Sequence, residues 1–448
     1  MADSRGTRQL ILRTGIALTV GLLLLLFLSS LLTKEVRSSP DVSIPLSPVQ
    51  IPDAATGPAA RLPVDDASSA PAPMDGPEPQ LIKIFAAIEN NRIDTALEET
   101  DALLERYPNF RLGYLIRGDL LLARARPLTT LGNISDAPPE KLADLREEAI
   151  ARLRAYRQKP PADVVPRYLM QMPSNQKYAV VVDIEKARLY LYANEGGTPR
   201  FAADYYISHG KLGANKAREG DKKTPVGVYY VTSRLPREKL TDFYGSGAFP
   251  INYPNEWDKR LGRNGFGIWL HGTPTNTFSR PPKASDGCVV LANQDFDALT
   301  RNIQPGLTPV IISSTVEWTP LKEWNRERET FDNKLEEWRL DWESRDTDRL
   351  LRHYAKNFRA GDQDLSVFAK QKKQVNAGKK WIKVELSDLS LFRYPVDSAS
   401  LGHSGGKEMV VATFLQNYQS NNLSNQMKKR QYWIREDNDW KIIYEGAV

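Results

Sequence analysis

Cysteine is almost absent from this chain of 448 residues: Cys288 stands alone, and there are only four histidines, His209, His271, His353 and His403. A single thiol excludes an intramolecular disulfide framework, and so few soft ligands leave no zinc-type spacing. Phosphate-loop and dinucleotide-binding glycine patterns are missing as well. The formal net charge is only +6, with Lys and Arg interspersed among acids instead of gathered in a stripe. That distribution speaks against a nucleic-acid footprint. No cofactor, metal or nucleic acid is expected.

What is present begins with an address. Arg5, Arg8 and Arg13 precede an uncharged, leucine-rich stretch over residues 14–33, about long enough to cross a bilayer as a helix with its N-terminus in the cytoplasm. Phe27-Leu28-Ser29-Ser30-Leu31-Leu32 makes a poor small-x-small cleavage site, so residues 1–37 read as a cytoplasmic tail and uncleaved signal-anchor. No cysteine lies near it for lipid attachment. Everything after Lys34 is then exported, and in an exported protein a solitary thiol is either inert filler or a nucleophile.

Residues 38–80 are rich in Pro, Ala, Ser and Asp and poor in large apolar side chains, a composition suited to a disordered tether. A small all-α region follows over 81–172. Leu81, Ile84, Phe85 and Ile88 share a face, and Ala96, Leu97, Leu103 and Leu104 recur at helical spacing. Tyr107-Pro108-Asn109 then breaks the period before Leu112, Leu115, Ile116 and Leu122 resume it. The layout resembles tetratricopeptide packing without a full repeat. It suits a helical spacer or an arm for a homodimer or a cell-wall protein partner, with a further helix over 139–158 packed on it.

From Lys177 the period shortens. Residues 178–183 and 188–192 form a hairpin signal, and further β-rich runs recur at 202–208, 226–232, 267–270 and 310–312. With one convincing helix at 294–301, the segment 177–314 reads as a mainly-β domain, a sandwich or barrel-like sheet. His271 ends one strand, and Cys288 lies in the loop Ser285-Asp286-Gly287-Cys288 that leads into Val289-Val290-Leu291.

Several motifs occur in order here: Gly210-Lys211, Glu219-Gly220-Asp221 with Lys223-Thr224-Pro225-Val226-Gly227, Leu270-His271-Gly272, and Ser285-Asp286-Gly287-Cys288. In this order and spacing they resemble the L,D-transpeptidase (YkuD) catalytic domain. The resemblance implies cysteine acyl transfer on peptidoglycan stem peptides, with Cys288 as nucleophile and His271 as general base and acid. It implies that the Gly272 carbonyl orients the imidazole and that the Gly287 N–H, with that of Cys288, serves an oxyanion hole. Ser285, Asp286, Arg280, Lys211 and His209 are candidate substrate-binding residues. Ser285 either bonds near the site or caps its loop, and His209 is also readable as a plain loop residue.

The family commonly has His or Arg where Asp286 stands and a basic residue where this chain has Val290. Arg263, Arg280, Lys283 or Lys211 would have to supply the missing cation. These departures keep a non-enzymatic reading open, a degenerate site retained as a peptidoglycan-binding scaffold.

Residues 321–448 form another unit. A charged, Trp-dotted helix over 321–342 and an amphipathic helical stretch over 350–358 precede β-rich runs at 381–392, 408–418, 431–435 and 440–444. His353 and His403 are expected at its surface. The pattern resembles the nuclear-transport-factor-like (SnoaL-type) α+β cone fold, which offers a pocket for a glycan or peptide. The expected molecule is a multidomain enzyme of the inner membrane, single-pass, with its catalytic domain in the periplasm. Transpeptidation is the family default. The appended cone fold resembles cell-shape L,D-carboxypeptidases, which makes trimming of tetrapeptide to tripeptide the alternative.

Overall fold

The computed structural model describes residues 76–126, 130–133, 137–361, 363–395 and 408–448. The expected anchor, nearly all of the tether and His403 lie outside the described residues. Among those described, no helix is long and apolar enough to cross a membrane.

Four helices open the folded part: α1 (Glu78–Glu89), α2 (Ile93–Arg106), α3 (Arg111–Ala123) and α4 (Pro139–Arg157). Their common core takes Leu81 and Ile84 from α1, Ala96 and Leu103 from α2, and Leu112, Leu115 and Ile116 from α3. Those are the positions an amphipathic stripe brings to one side. Tyr107 and Phe110 flank the corner between α2 and α3, and both are buried.

The helical region was expected to run to 172, but it ends at Arg157. Pro160, Pro161 and Pro166 forbid continuation, and the apolar residues between and after them form two short strands. β1 (Val164–Pro166) pairs with β12 (Trp318–Pro320), and β2 (Leu169–Gln171) becomes an edge strand of the C-terminal sheet.

The central domain holds β3 (Tyr178–Asp183), β4 (Arg188–Glu195), β5 (Thr198–Ser208), β6 (Gly227–Tyr230), β7 (Leu235–Pro236), β8 (Gly247–Pro250), β9 (Trp269–His271), β10 (Val289–Leu291) and β11 (Pro309–Ser313). These join in one mixed nine-stranded sheet, ordered β6-β11-β3-β4-β5-β10-β9-β8-β7. β11 runs parallel to β3 and β10 parallel to β9. Successive residues alternate between two cores. Val180, Val182, Leu189 and Leu191 face one, which also takes Phe296 and Leu299 of helix α6 (Asn293–Thr300). Ala179, Val181, Tyr190 and Tyr192 face the other, shared with Tyr394, Met409, Val411 and Tyr432 of the C-terminal domain. Burial on both faces explains why these strands read as nearly unbroken apolar runs.

Helix α5 (Glu256–Arg260) joins the two domains electrostatically: Glu256 takes both oxygens to Arg430, at 3.0 Å each. The C-terminal domain contains α7 (Leu321–Glu343), α8 (Thr347–Leu351), β13 (Tyr354–Ala360), β14 (Gln363–Asp364), α9 (Leu365–Ala377), β15 (Ile382–Arg393), β16 (Met409–Ser420), β17 (Leu423–Glu436) and β18 (Asp439–Ala447). Trp338, Phe331 and Leu335 of α7 pack with Phe414 and Trp433 of the sheet, giving the helix-on-sheet core expected of a cone fold.

Two expectations fail here. The stretch 350–358, with Leu351, Tyr354 and Phe358 at helical spacing, is divided between α8 and strand β13. Pairing with β18 supplies the backbone hydrogen bonds, and tertiary pairing overrides a short periodic signal. His353, expected at the surface, is buried, with Nε2 2.9 Å from Asp341 Oδ2.

Candidate active site

Adjacent parallel strands bring the histidine and the thiol together. Val289 pairs with Leu270 and Val290 with His271, so Cys288 enters β10 beside Trp269 at the head of β9. The loop before the thiol is tightly braced. Ser285 Oγ accepts the Gly287 N–H at 3.0 Å and donates to the Cys288 carbonyl at 2.6 Å. Thr224 Oγ1 donates to the Gly287 carbonyl at 3.0 Å and accepts the Gly210 N–H at 2.9 Å. Gly287 sits at φ +134°, and a Cβ there would lie 2.7 Å from the Lys223 carbonyl oxygen, so only glycine fits without strain. The motifs at 210, 223–227 and 285–288 therefore hold one another.

Ser285 braces this loop. Its bond to the Gly287 N–H also occupies the donor expected for the oxyanion hole, and that role requires the bond to be released. His209 is buried, with its carbonyl accepting the Ser285 N–H at 2.9 Å and its Nδ1 3.2 Å from the Gly210 carbonyl.

His271 is 1 % exposed, and its Nδ1 lies 2.7 Å from the Gly272 carbonyl oxygen. A carbonyl only accepts, so Nδ1 carries the proton and Nε2 is left as the acceptor. Burial pushes the imidazole down to about 4, opposed by that carbonyl and reinforced by Arg280. Burial pushes the Cys288 thiol up to about 11, and Asp286 adds to the rise against the opposing backbone contact at Trp269. The resting pair is thus neutral. The thiol donates to the Gly267 carbonyl at 3.3 Å, with no hydrogen bond to His271. That bond must be released before the thiol can give its proton to the imidazole, and catalytic hydrogen bonds commonly tighten only when substrate is bound.

Aromatic side chains that the sequence reading missed cover the histidine. The Tyr244 ring meets His271 edge-on at 5.1 Å, and Phe243, half exposed, lies 5.8 Å away. Arg280 places its guanidinium over Phe243 at 4.9 Å. Of the four cations considered for the missing charge, Lys211 pairs with Asp286 at 3.0 Å, Arg263 with Asp258 at 3.1 Å and Lys283 with Glu147 at 3.5 Å. Arg280 has no such carboxylate within ion-pair distance among the described residues, and its charge acts on both Cys288 and Asp286. The Val290 departure has a physical reason in this structure: the side chain is 2 % exposed, where a cation would carry a heavy desolvation cost.

The helical region, expected as a spacer or dimerisation arm, packs on the loop between His271 and Cys288. Phe278 inserts its ring between Tyr107 and Phe110, with centroids at 4.9 and 5.1 Å. Ser279 Oγ donates to Glu148 at 2.6 Å, and the Arg280 carbonyl accepts from Tyr206 and Ser208. Glu148 belongs to a buried network in which Arg152 bridges it, at 3.0 Å, to Glu78. Nothing in the spacing of single residues announces such a contact across more than a hundred positions.

Among the described residues, Glu337, Asp341 and His353 are close enough to share a metal ion. Lys334 and Arg349 already pair with the two carboxylates, and His353 with Asp341.

Residues 177–312 match the L,D-transpeptidase catalytic domain (YkuD), and residues 330–446 match the Cds6 C-terminal NTF2-like domain. The chain thus carries an L,D-transpeptidase-family catalytic domain followed by an NTF2-like domain. Among solved structures it is similar to Bd1075 of Bdellovibrio bacteriovorus, at 28% identity and TM-score 0.55 over 64% of this chain and 98% of that one. It is also similar to the helical cell shape determining protein Pgp2 of Campylobacter jejuni, at 25% identity and TM-score 0.52 over 62% of this chain and 95% of that one. Comparison with curated proteins gives no match.

Proposed function

We propose that this chain, an L,D-transpeptidase-family peptidoglycan enzyme, cleaves the bond between an L-centre diaminopimelate and the terminal D-alanine of a stem tetrapeptide. The observation that carries the reading is the His271 Nδ1 contact with the Gly272 carbonyl, 2.7 Å, on a strand in parallel register with the one that Cys288 opens. It leaves Nε2 as the only imidazole acceptor, on the strand next to the lone thiol.

In the first half-reaction Nε2 takes the thiol proton as sulfur attacks the carbonyl carbon. The tetrahedral intermediate collapses with the proton passing from His271 to the D-alanine nitrogen, leaving a thioester. In the second half, His271 takes a proton from the acceptor, which attacks the thioester and frees the thiol. Arg280, a cation above Phe243 with no carboxylate at ion-pair distance among the described residues, is suited to hold a substrate carboxylate. The sequence-level anchor at residues 14–33 would confine this chemistry to the periplasmic side of the inner membrane.

An amine acceptor gives transpeptidation, and water gives a tripeptide. Likeness to a cell-shape determinant across most of its length favours keeping hydrolysis as a second reading. Incubating the full chain with disaccharide-tetrapeptide, with and without an amine acceptor, separates them by mass spectrometry. Cysteine-dependent dimers or D-amino-acid exchange establish transfer, and tripeptide alone establishes hydrolysis. Turnover that survives Cys288→Ala, or no turnover with any acceptor, rejects the enzymatic reading and favours the scaffold.

A further inference from the structure

A cavity of about 330 Å³ opens where the end of α4, the linker after it and strands β4 and β5 meet. It shares no lining residue with the site around Cys288, and its volume sits at the small end of ligand pockets, roughly 300–1,000 Å³. Its walls include Pro160, Pro161 and Phe201, whose ring is 54% exposed and meets Tyr192 edge-on at 6.0 Å.

Among the described residues, two phenol hydroxyls and one carboxylate oxygen in this frame have no hydrogen-bond partner. Tyr190 and Tyr192 line the cavity at 3% and 2% exposure, and neither hydroxyl hydrogen-bonds another described residue. Asp204, opposite Tyr190 in the β4–β5 register, commits Oδ2 to Arg188 Nε at 2.9 Å and leaves Oδ1 uncommitted. A purely apolar occupant would bury these three groups unsatisfied, at about 1–3 kcal/mol each. Lys159 and Arg200 line the cavity as well, but neither is free, Arg200 lying 3.7 Å from Glu195, and Asp204 is held by Arg188, so among the described residues the lining offers no unpaired charge to hold an ion. A neutral polyhydroxyl ring satisfies the set: its hydroxyls donate to Asp204 and exchange hydrogen bonds with the phenols, while its C–H face lies on Phe201 and the prolines.

We propose that this cavity is a saccharide site that takes a neutral sugar ring of a glycan strand. Only the identity of that glycan, the strand bearing the stem peptides, rests on the peptidoglycan reading above. The site would hold the strand at the junction of the helical and catalytic domains while a stem peptide is processed at Cys288.

The test uses the full chain carrying Cys288→Ala, titrated with a neutral oligomer of N-acetylglucosamine by calorimetry. Saturable binding is expected, weakened about tenfold or more by Phe201→Ala. The double change Tyr190→Phe with Tyr192→Phe, which keeps both rings, is expected to weaken it several-fold without altering thermal unfolding. With Cys288 restored, Phe201→Ala should turn over free tetrapeptide at the wild-type rate but act more slowly on intact sacculi. No saturable binding, or equal affinity in the parent and both cavity variants, overturns the proposal. Failure of the wild type on free tetrapeptide would instead sink the catalytic reading while the binding result stood.

Discussion

The neutral resting pair sets how the thiol should respond to pH. With the Cys288 thiol at about 11, only about one molecule in ten thousand holds a thiolate at pH 7, against roughly 3% for a free cysteine near 8.5. That is a deficit of about 300-fold. A more basic thiolate is also more nucleophilic, and a Brønsted slope of about 0.45 over that difference returns roughly tenfold. Alkylation of Cys288 by iodoacetamide should therefore run about 30-fold slower than that of a free cysteine at pH 7, rising about tenfold per pH unit up to pH 10.

Turnover should behave differently. The imidazole stays neutral above about 4, and the thiol keeps its proton until far higher pH. General-base attack therefore predicts kcat/KM on tetrapeptide that is flat from about pH 5 to 9. His271→Ala should abolish turnover and leave the alkylation slope intact, because the histidine does not create the thiolate at rest. Fast alkylation independent of pH between 5 and 8 would reveal a thiolate–imidazolium ion pair and refute this reasoning.

Three further outcomes follow from named contacts. Arg280→Ala should raise KM for tetrapeptide roughly 10- to 100-fold, the loss of a charge-assisted hydrogen bond of about 1.5–3 kcal/mol, with little change in kcat; an equal effect on a substrate amidated at its carboxylates would reject the anchor role. Arg152→Met strips the cation between two largely buried carboxylates, Glu148 and Glu78, and should cost about 3–5 kcal/mol; hydrogen exchange at α4 is the readout, and unchanged protection counts against the network. His209 and His271 are both buried and pushed down to about 4, so below about 6.5 the unfolded chain binds more protons than the folded one. Stability should be fully present above pH 6.5 and fall between 6.5 and 4 by up to about 3 kcal/mol per histidine, with His209→Gln reducing the slope; a denaturant midpoint constant over that range would contradict it.

Local periodicity made the helices α1 to α4 and most strands of the two sheets legible in the sequence, because an apolar stripe or alternation is written within a dozen residues. It misled where pairing partners lie far away. Val164, Val165, Leu169 and Met170 join strands whose mates stand more than 150 residues on, and residues 354–358 became strand because β18 was available to pair with them. At the site, chemistry marked Cys288 and His271, since a lone thiol that closes an ordered series of motifs is conspicuous. Phe243, Tyr244 and Glu148 carry no such mark. Their position depends on a short turn packing against β9 and on a helix closing over a loop.

Those long-range contacts also constrain how the domains work together. The loop bearing Arg280 is held on one side by Tyr206 and Ser208 of the catalytic sheet and on the other by Glu148 and the Tyr107–Phe110 corner of the helical region. The back of that sheet is covered by the C-terminal domain, whose own edge strand, β2, comes from the linker between the helical and catalytic parts. Cutting the chain after Arg157 would strip the loop of its outer support, and cutting it before 177 would also remove a strand from the C-terminal sheet. An isolated 177–314 fragment would therefore expose the second core of the catalytic sheet, Ala179, Val181, Tyr190 and Tyr192 among its residues, and contiguous exposed apolar faces promote aggregation. The catalytic fold thus has one face covered by the C-terminal domain and one loop braced by the helical region, so its integrity belongs to the assembly of the three.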